Sequence, residues 1–202
     1  MTDQPQKPNN PKAEEITQVA QELIQTQGYD GFSYRDIADR VGIRSATIHY
    51  YFPTKADLAI SVARTYREEF AETVAELDAS TSHPIERLTG FAGIFQNTLE
   101  ELKRMCLCGM LASEVNSLSD EVRAETALFF SDQQGWLANT IQDGIETGAI
   151  ENSVDPDAFA QMFLSALEGA MVMARSMERP DHLADVSSQL ISLLTRTPQP
   201  VS

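Results

Sequence analysis

Cysteine, histidine and cationic side chains are all scarce in this chain of 202 residues. Two cysteines are too few for a disulfide framework. The three histidines, His49, His83 and His182, stand at no ligand-type spacing to those thiols, so no metal site and no cofactor is expected. No apolar run approaches the roughly 20 residues that cross a bilayer. The opening MTDQPQKPNNPK lacks the apolar stretch of a secretory signal, and a cytoplasmic protein is expected. Glycine-rich phosphate loops and the G-x-S-x-G elbow are missing, and no histidine has a carboxylate or thiol partner at motif spacing, which argues against an enzyme. The shortage of cations is the most consequential. Fifteen Lys and Arg face 30 Asp and Glu, a net charge of −15, which at first disfavours a nucleic-acid partner because phosphate binding is mainly electrostatic.

The distribution of charge answers that objection. Residues 1–57 hold six Lys/Arg and eight Asp/Glu, a balance of −2, which leaves −13 of the −15 on the remainder. From Arg40 to Ala56 there are three cations and no acid. An acidic body would hold itself away from a duplex while one edge tolerates it. No segment alternates apolar and polar residues long enough to make a strand, and the 42% hydrophobic content can bury a substantial core, so the expected class is all-α.

Local signals between Ser33 and Asp57 divide SYRDIADRVGIRSATIHYYFPTKAD into short helices. Ser33 is an N-cap with Asp36 three residues on, and Tyr34, Ile37, Ala38 and Val41 share one helical face. Gly42 permits a sharp bend. Ser45 to Phe52 makes a second helix of about two turns, with Ile48 and Phe52 turned inward. Pro53 stops it, and Thr54 caps a further helix with Asp57 at its third position. Upstream, a helix from about Lys12 to Gln27 carries Ile16, Val19, Ala20, Leu23 and Ile24 on one face and ends at Gly28. A disordered arm is expected over residues 1–11. The Thr54 helix repeats apolar residues from Leu58 to Leu77, too long for the head alone, so it must enter the body.

The run GIRSATIHYYFPTKADL, with AQELIQTQGYDGFSYRDIADRVG before it, resembles the DNA-binding domain of TetR/AcrR-type transcriptional regulators over roughly residues 12 to 70. That resemblance implies a helix-turn-helix head over 12–57, joined by a long helix to a ligand-binding and dimerisation bundle over 58–197. It implies a homodimeric repressor on a palindromic operator in double-stranded DNA, released by a small-molecule effector. Most members carry a Tyr after the Thr-apolar pair; here that position is His49, and the resemblance leaves the DNA-backbone contact to Tyr50 or His49.

Chemistry assigns roles within the head. Ser45 and Thr47 can reach base edges or phosphates, and Arg44 can form two parallel bonds to a guanine edge or pair with phosphate. His49, Tyr50 and Lys55 suit backbone phosphates, and Tyr34 is counted with them as a candidate contact.

The body is read as helices opening at Pro84, Ser119, Asp155 and Pro180, with a further segment from near Met105 to Leu118. The first of these carries a stripe running to Leu102. The last two are the dimerisation candidates, through Phe159, Ala166, Gly169, Ala170 and Met173 on one and Val186, Leu190, Leu193 and Leu194 on the other. Phe95, Leu99, Met110, Phe129, Trp136, Met162 and Met171 can line an apolar effector cavity, with Cys106, Glu114 and Glu168 as its polar members; the alternative for Glu168 is a donor from a partner chain. Cys106 and Cys108, two apart on a helix, would point about 200° away from each other and could not pair. Lys103 and Arg104 lie within a turn of Cys106 and would favour its thiolate, while Glu100 and Glu101 oppose them. The stretch MCLCGMLASEVNSLSDEVR resembles the NemR-like branch of the same family, which implies that Cys106 senses electrophiles; the alternative is a small buried hydrophobe. For the whole chain, the competing readings are an all-α enzyme and a helical adaptor without specific DNA binding.

Overall fold

A computed structural model describes residues 10–195, and among them the secondary structure is helical with no strand. The expected all-α class is borne out. The order is α1 (Pro11–Gln27), α2 (Tyr34–Val41), α3 (Ser45–Tyr51), α4 (Lys55–Ser80), α5 (Pro84–Glu100), α6 (Leu107–Ser113), a short 3-10 turn (Val115–Ser117), α7 (Asp120–Glu146), α8 (Pro156–Ser176) and α9 (Asp181–Leu194). Helix α1 packs on α4 and on α2, which in turn carries α3; α4 also packs on α5, α6 and α7, and α8 lies between α7 and α9.

Caps written into the sequence set most of these ends. Thr54 Oγ1 accepts from the Asp57 N–H at 3.1 Å while Asp57 Oδ2 takes the Thr54 N–H at 2.9 Å, and Asp155 accepts from the Ala158 N–H at 3.0 Å ahead of Pro156. Asn10 accepts from the Lys12 N–H, which puts Pro11 in the first turn of α1 and shortens the arm expected over 1–11; residues 1–9 and 196–197 of the expected segments lie outside the described residues. Helix α4 is unbroken across the boundary expected at 57–58.

Differences from the sequence reading concentrate between α5 and α7. Helix α5 stops at Glu100, so Leu102 is exposed instead of continuing the stripe. Lys103 adopts φ +55°, and Cys106 is the residue before α6, not a member of it. Its N–H donates to Met171 Sδ at 3.3 Å, a tertiary bond that replaces a helical one. The two cysteines therefore do not share a helix; both are free thiols and both are buried.

The centre of the body is aromatic. Phe70 of α4 touches Tyr66 on its own helix, Phe91 and Phe95 of α5 and Phe129 of α7, with centroids 5.1–6.1 Å apart. Phe91 stacks on Trp136 at 5.2 Å, and the indole N–H reaches Asp78 at 2.9 Å. Such rings contribute mainly through the apolar area they bury, with edge-to-face geometry adding to it.

Candidate nucleic-acid interface

Helix α3 is fixed from beneath and free above. Ile48 is fully buried and Phe52 nearly so, while Ala46, His49 and Tyr50 form the outward face at helical spacing, Tyr50 being 69% exposed. Arg44 occupies the N-cap position, exposed and without an ion pair among the described residues. Ser45 and Thr47 flank this face half-buried. Gly42 adopts the left-handed conformation (φ +72°) that turns α2 into α3, the geometry for which glycine is suited.

Two of the expected contact residues are directed inward. The Tyr34 hydroxyl shares its one proton between the Phe52 carbonyl (2.9 Å) and the Thr54 carbonyl (2.5 Å), clamping the end of α3 to α2. Its ring packs on His49 at 4.7 Å. Burial, with Asp57 nearby, raises the Tyr34 pKa, so it stays a neutral donor. Lys55 Nζ donates to the Phe32 carbonyl and lies over the Tyr29 and Phe32 rings at 4.8 and 4.2 Å. Partial burial lowers its pKa against the opposing pull of Asp30, Glu114 and Asp36. His49 has one ring nitrogen 3.3 Å from the Pro53 carbonyl, leaving the other edge outward.

Sequence reasoning passed over Ala46 and Arg35. Ala46 lies three and four positions before His49 and Tyr50, a spacing that alone could have marked it as outward, and its methyl suits contact with a thymine methyl. Arg35 is exposed on α2, outside that helix's buried stripe, and makes no salt bridge among the described residues.

The head is bolted to the body on its other side. The Asp30 N–H donates to Glu114 Oε2 at 2.7 Å and Ser117 Oγ donates to Asp30. Gln25 and Met105 exchange two bonds, Gln25 Nε2 to the Met105 carbonyl (2.9 Å) and the Met105 N–H to the Gln25 carbonyl (3.1 Å). Arg104 pairs with Glu22 at 2.8 Å, and Arg175 donates to the Thr26 carbonyl. Gly28 lies at φ +87°, ψ 171°, where a Cβ would stand 2.0 Å from Glu114 Oε1. Gly28→Ala is expected to lower stability by about 1–3 kcal/mol, since that backbone region is nearly glycine-only. Urea unfolding checks this; an unchanged midpoint contradicts it.

In the body, Phe95, Leu99, Phe129 and Met171 are buried core, with Met110 and Trp136 packed against it. Glu114 serves the joint with the head and Met162 is 43% exposed, whereas Cys106, Met171 and Glu168 are brought together, the Cys106 N–H on Met171 Sδ and its thiol beside the Glu168 carboxyl. A separate groove of about 380 Å³ runs between α5 and α9, lined by Thr89, Ala92, Gly93, Gln96, Ser187 and Ile191 among others. Of the expected dimer residues, Met173 and Leu193 are exposed, Phe159, Ala166, Val186 and Leu190 half-buried, Gly169 exposed, and Ala170 and Leu194 buried within the chain.

The influence expected of Arg104 on the Cys106 thiol is corrected, and the thiol is the small buried group of the alternative reading. Arg104 turns away to Glu22, and Cys106 is buried near Glu168. Burial first, and then the Glu168 and Cys108 charges, push its pKa well above the usual thiol range. Burial does the same at Cys108. Among the described residues no group of three or more Cys, His, Asp or Glu could hold a metal ion, and no helix is long and apolar enough to cross a membrane.

Comparison with known proteins gives matches in both halves. Residues 16–62 match the family described as bacterial regulatory proteins, tetR family, and residues 84–190 match the tetracyclin repressor-like C-terminal domain. A TetR-family transcriptional regulator from Agrobacterium tumefaciens is 33% identical, with a TM-score of 0.89 over 92% of this chain and 98% of that one. The transcriptional regulator AcuR of Cereibacter sphaeroides is 28% identical over 80% of this chain and 75% of its own length. Reduced Escherichia coli NemR superposes with a TM-score of 0.83 over 94% of this chain and 99% of that one at 17% identity, a likeness of fold.

Proposed function

The chain belongs to the TetR family of bacterial regulatory proteins, and from that premise we propose that it is a homodimer whose paired heads grip a palindromic operator until an effector in the body releases them. It is a DNA-binding transcriptional repressor, not an enzyme. The reading head is assigned to residues 12–57 and the effector and dimerisation body to 58–197.

The observation that carries the DNA reading is the outward face of α3, with Arg44, Ala46, His49 and Tyr50 over a buried Ile48 and no acid between Arg40 and Ala56. Arg35, Ser45 and Thr47 border it; Tyr34 and Lys55 support it from within. A two-turn helix reaches few base edges, and doubling it on a two-fold axis supplies the missing specificity. The exposed Met162, Val172, Met173 and Leu193 on α8 and α9, 43–58% accessible in the single chain, favour those helices as the seam.

A protonated, enclosed Cys106 favours a reversible ligand over covalent modification as the releasing event. The ligand relieves repression only as far as it prefers the DNA-incompetent arrangement. Helix α4, common to head and body, and the head–body bonds made by Glu114, Met105, Arg104 and Arg175 are the routes by which a shift in the body reaches α3.

Selection of binding sites from a random duplex pool, followed by footprinting, tests the proposal. An inverted repeat and steep loss of affinity with salt are expected; equal, weak binding to every sequence rejects it. Arg44→Ala is expected to cost about 1–3 kcal/mol of operator affinity. A loss confined to the selected sequence assigns Arg44 to a base edge. A loss on all DNA, with a salt slope smaller by about one, assigns it to a phosphate.

A further inference from the structure

Several buried polar atoms lack a hydrogen bond, but most belong to side chains satisfied through another atom. Gln25 reaches Met105, Arg67 reaches Asp132, Asp78 receives from Trp136, and Glu125 binds Arg64. Glu168 differs. Its carboxyl group is enclosed within the body although part of its stem is exposed; among the described residues Oε1 has no partner, and only the Cys106 thiol lies within hydrogen-bond reach of the group. Oε2 faces Gly109 of α6 so closely that a Cβ there would stand 2.4 Å away. From the packed elements, Cys106 and Cys108 face it beside α6 and Tyr66 from α4, all held neutral by burial. Arg67 of α4 acts on Cys108 but not on this carboxyl, and no lysine or arginine among the described residues offsets its charge.

We infer that Glu168 is the recognition point for an apolar effector bearing an amine, which enters between α6 and α8 and donates to the unpartnered Oε1. The inference rests on the reading of the body as an effector domain. An ammonium supplies the missing donor and the missing countercharge together, and a charge-assisted bond is roughly twice as strong as a neutral one. An alcohol supplies the donor alone. A carboxylate brings a second negative charge to a site with no cation and is excluded. Burial already lifts the Glu168 carboxyl to about 7, so the cost of holding it ionised is what an arriving cation relieves. Because Oε1 is sealed, the amine fits only an arrangement in which the packing around the carboxyl opens; Oε2 of the same group lies against Gly109 of α6, and the residue capping the other end of α6 is Glu114, which holds Asp30 of the head. The ligand therefore has a built-in preference between the two arrangements.

Calorimetric titration of the full-length protein with hexylamine, hexanol and hexanoate near neutral pH tests this. Hexylamine is expected to bind tightest and hexanoate not at all. Glu168→Leu should weaken hexylamine about tenfold or more, and Glu168→Gln, whose amide oxygen still accepts but carries no charge, by less. A melting temperature for Glu168→Leu at or above wild type confirms that its fold is intact. The inference is overturned by hexanol or hexanoate binding as tightly as hexylamine, by undiminished hexylamine binding to Glu168→Leu, or by no heat from any probe at millimolar concentration. Operator binding by the ligand-free protein is untouched in each of these outcomes. Its absence would instead reject the repressor reading.

Discussion

Phe70→Ala is expected to destabilise the protein by about 3–5 kcal/mol, the range for emptying a packed aromatic site. Phe70 is 6% exposed and touches rings from two other helices, so its removal leaves a void that Phe91 and Phe95 cannot close without leaving their contacts with each other and with Trp136, nor Phe129 without leaving Tyr66. The same ring fixes α4, and α4 carries the head. The substitution should therefore lower the urea midpoint and also loosen the spacing of α3 in the operator complex. A loss below about 1 kcal/mol would mean that the core collapses freely around the site, and that the aromatic centre does not brace α4.

The head was legible because its signals are local. Ser33 with Asp36, Gly42, Pro53, and Thr54 with Asp57 each act within a turn or so of themselves, and Ile48 and Phe52 are spaced to reach one core. What the sequence concealed was where long side chains end. Tyr34 and Lys55 read as donors facing outward, yet their targets are carbonyls 18 to 23 residues away in the chain. Arg104 read as a neighbour of Cys106, yet its partner, Glu22, is on α1.

The α5–α6 region was misread for a related reason. Its backbone is shaped by tertiary bonds, Met105 to Gln25 and Cys106 to Met171, which leave no periodicity to detect. A positive φ at Lys103, a residue that gives no glycine-like warning, completes the break. The consequence is functional. The segment tied most closely to the head by backbone bonds is also the one whose next residues, Cys106 and Gly109, lie against Glu168.

Glu168 should also make stability depend on pH in a direction opposite to an ordinary ion-paired carboxylate. Its folded value, about 7, lies above the 4.5 of an exposed glutamate, with burial as the leading cause. The folded protein thus holds a proton that the unfolded chain has released. Stability is complete below the unfolded value, falls as pH rises through the interval between the two, and is flat above the folded value. A shift of this size corresponds to about 3 kcal/mol in total, of which roughly 2 kcal/mol should be lost between about pH 5.5 and pH 8. Subtracting the curve of Glu168→Gln removes the contributions of every other titrating group, because the amide stays neutral throughout. The variant should gain on wild type as pH rises, and Glu168→Leu should gain similarly, since apolar replacement of an uncompensated buried charge is commonly neutral or stabilising. Parallel curves for wild type and Glu168→Gln would mean that the carboxyl ionises without penalty, so that a partner or solvent reaches Oε1 and the site has no need of an amine.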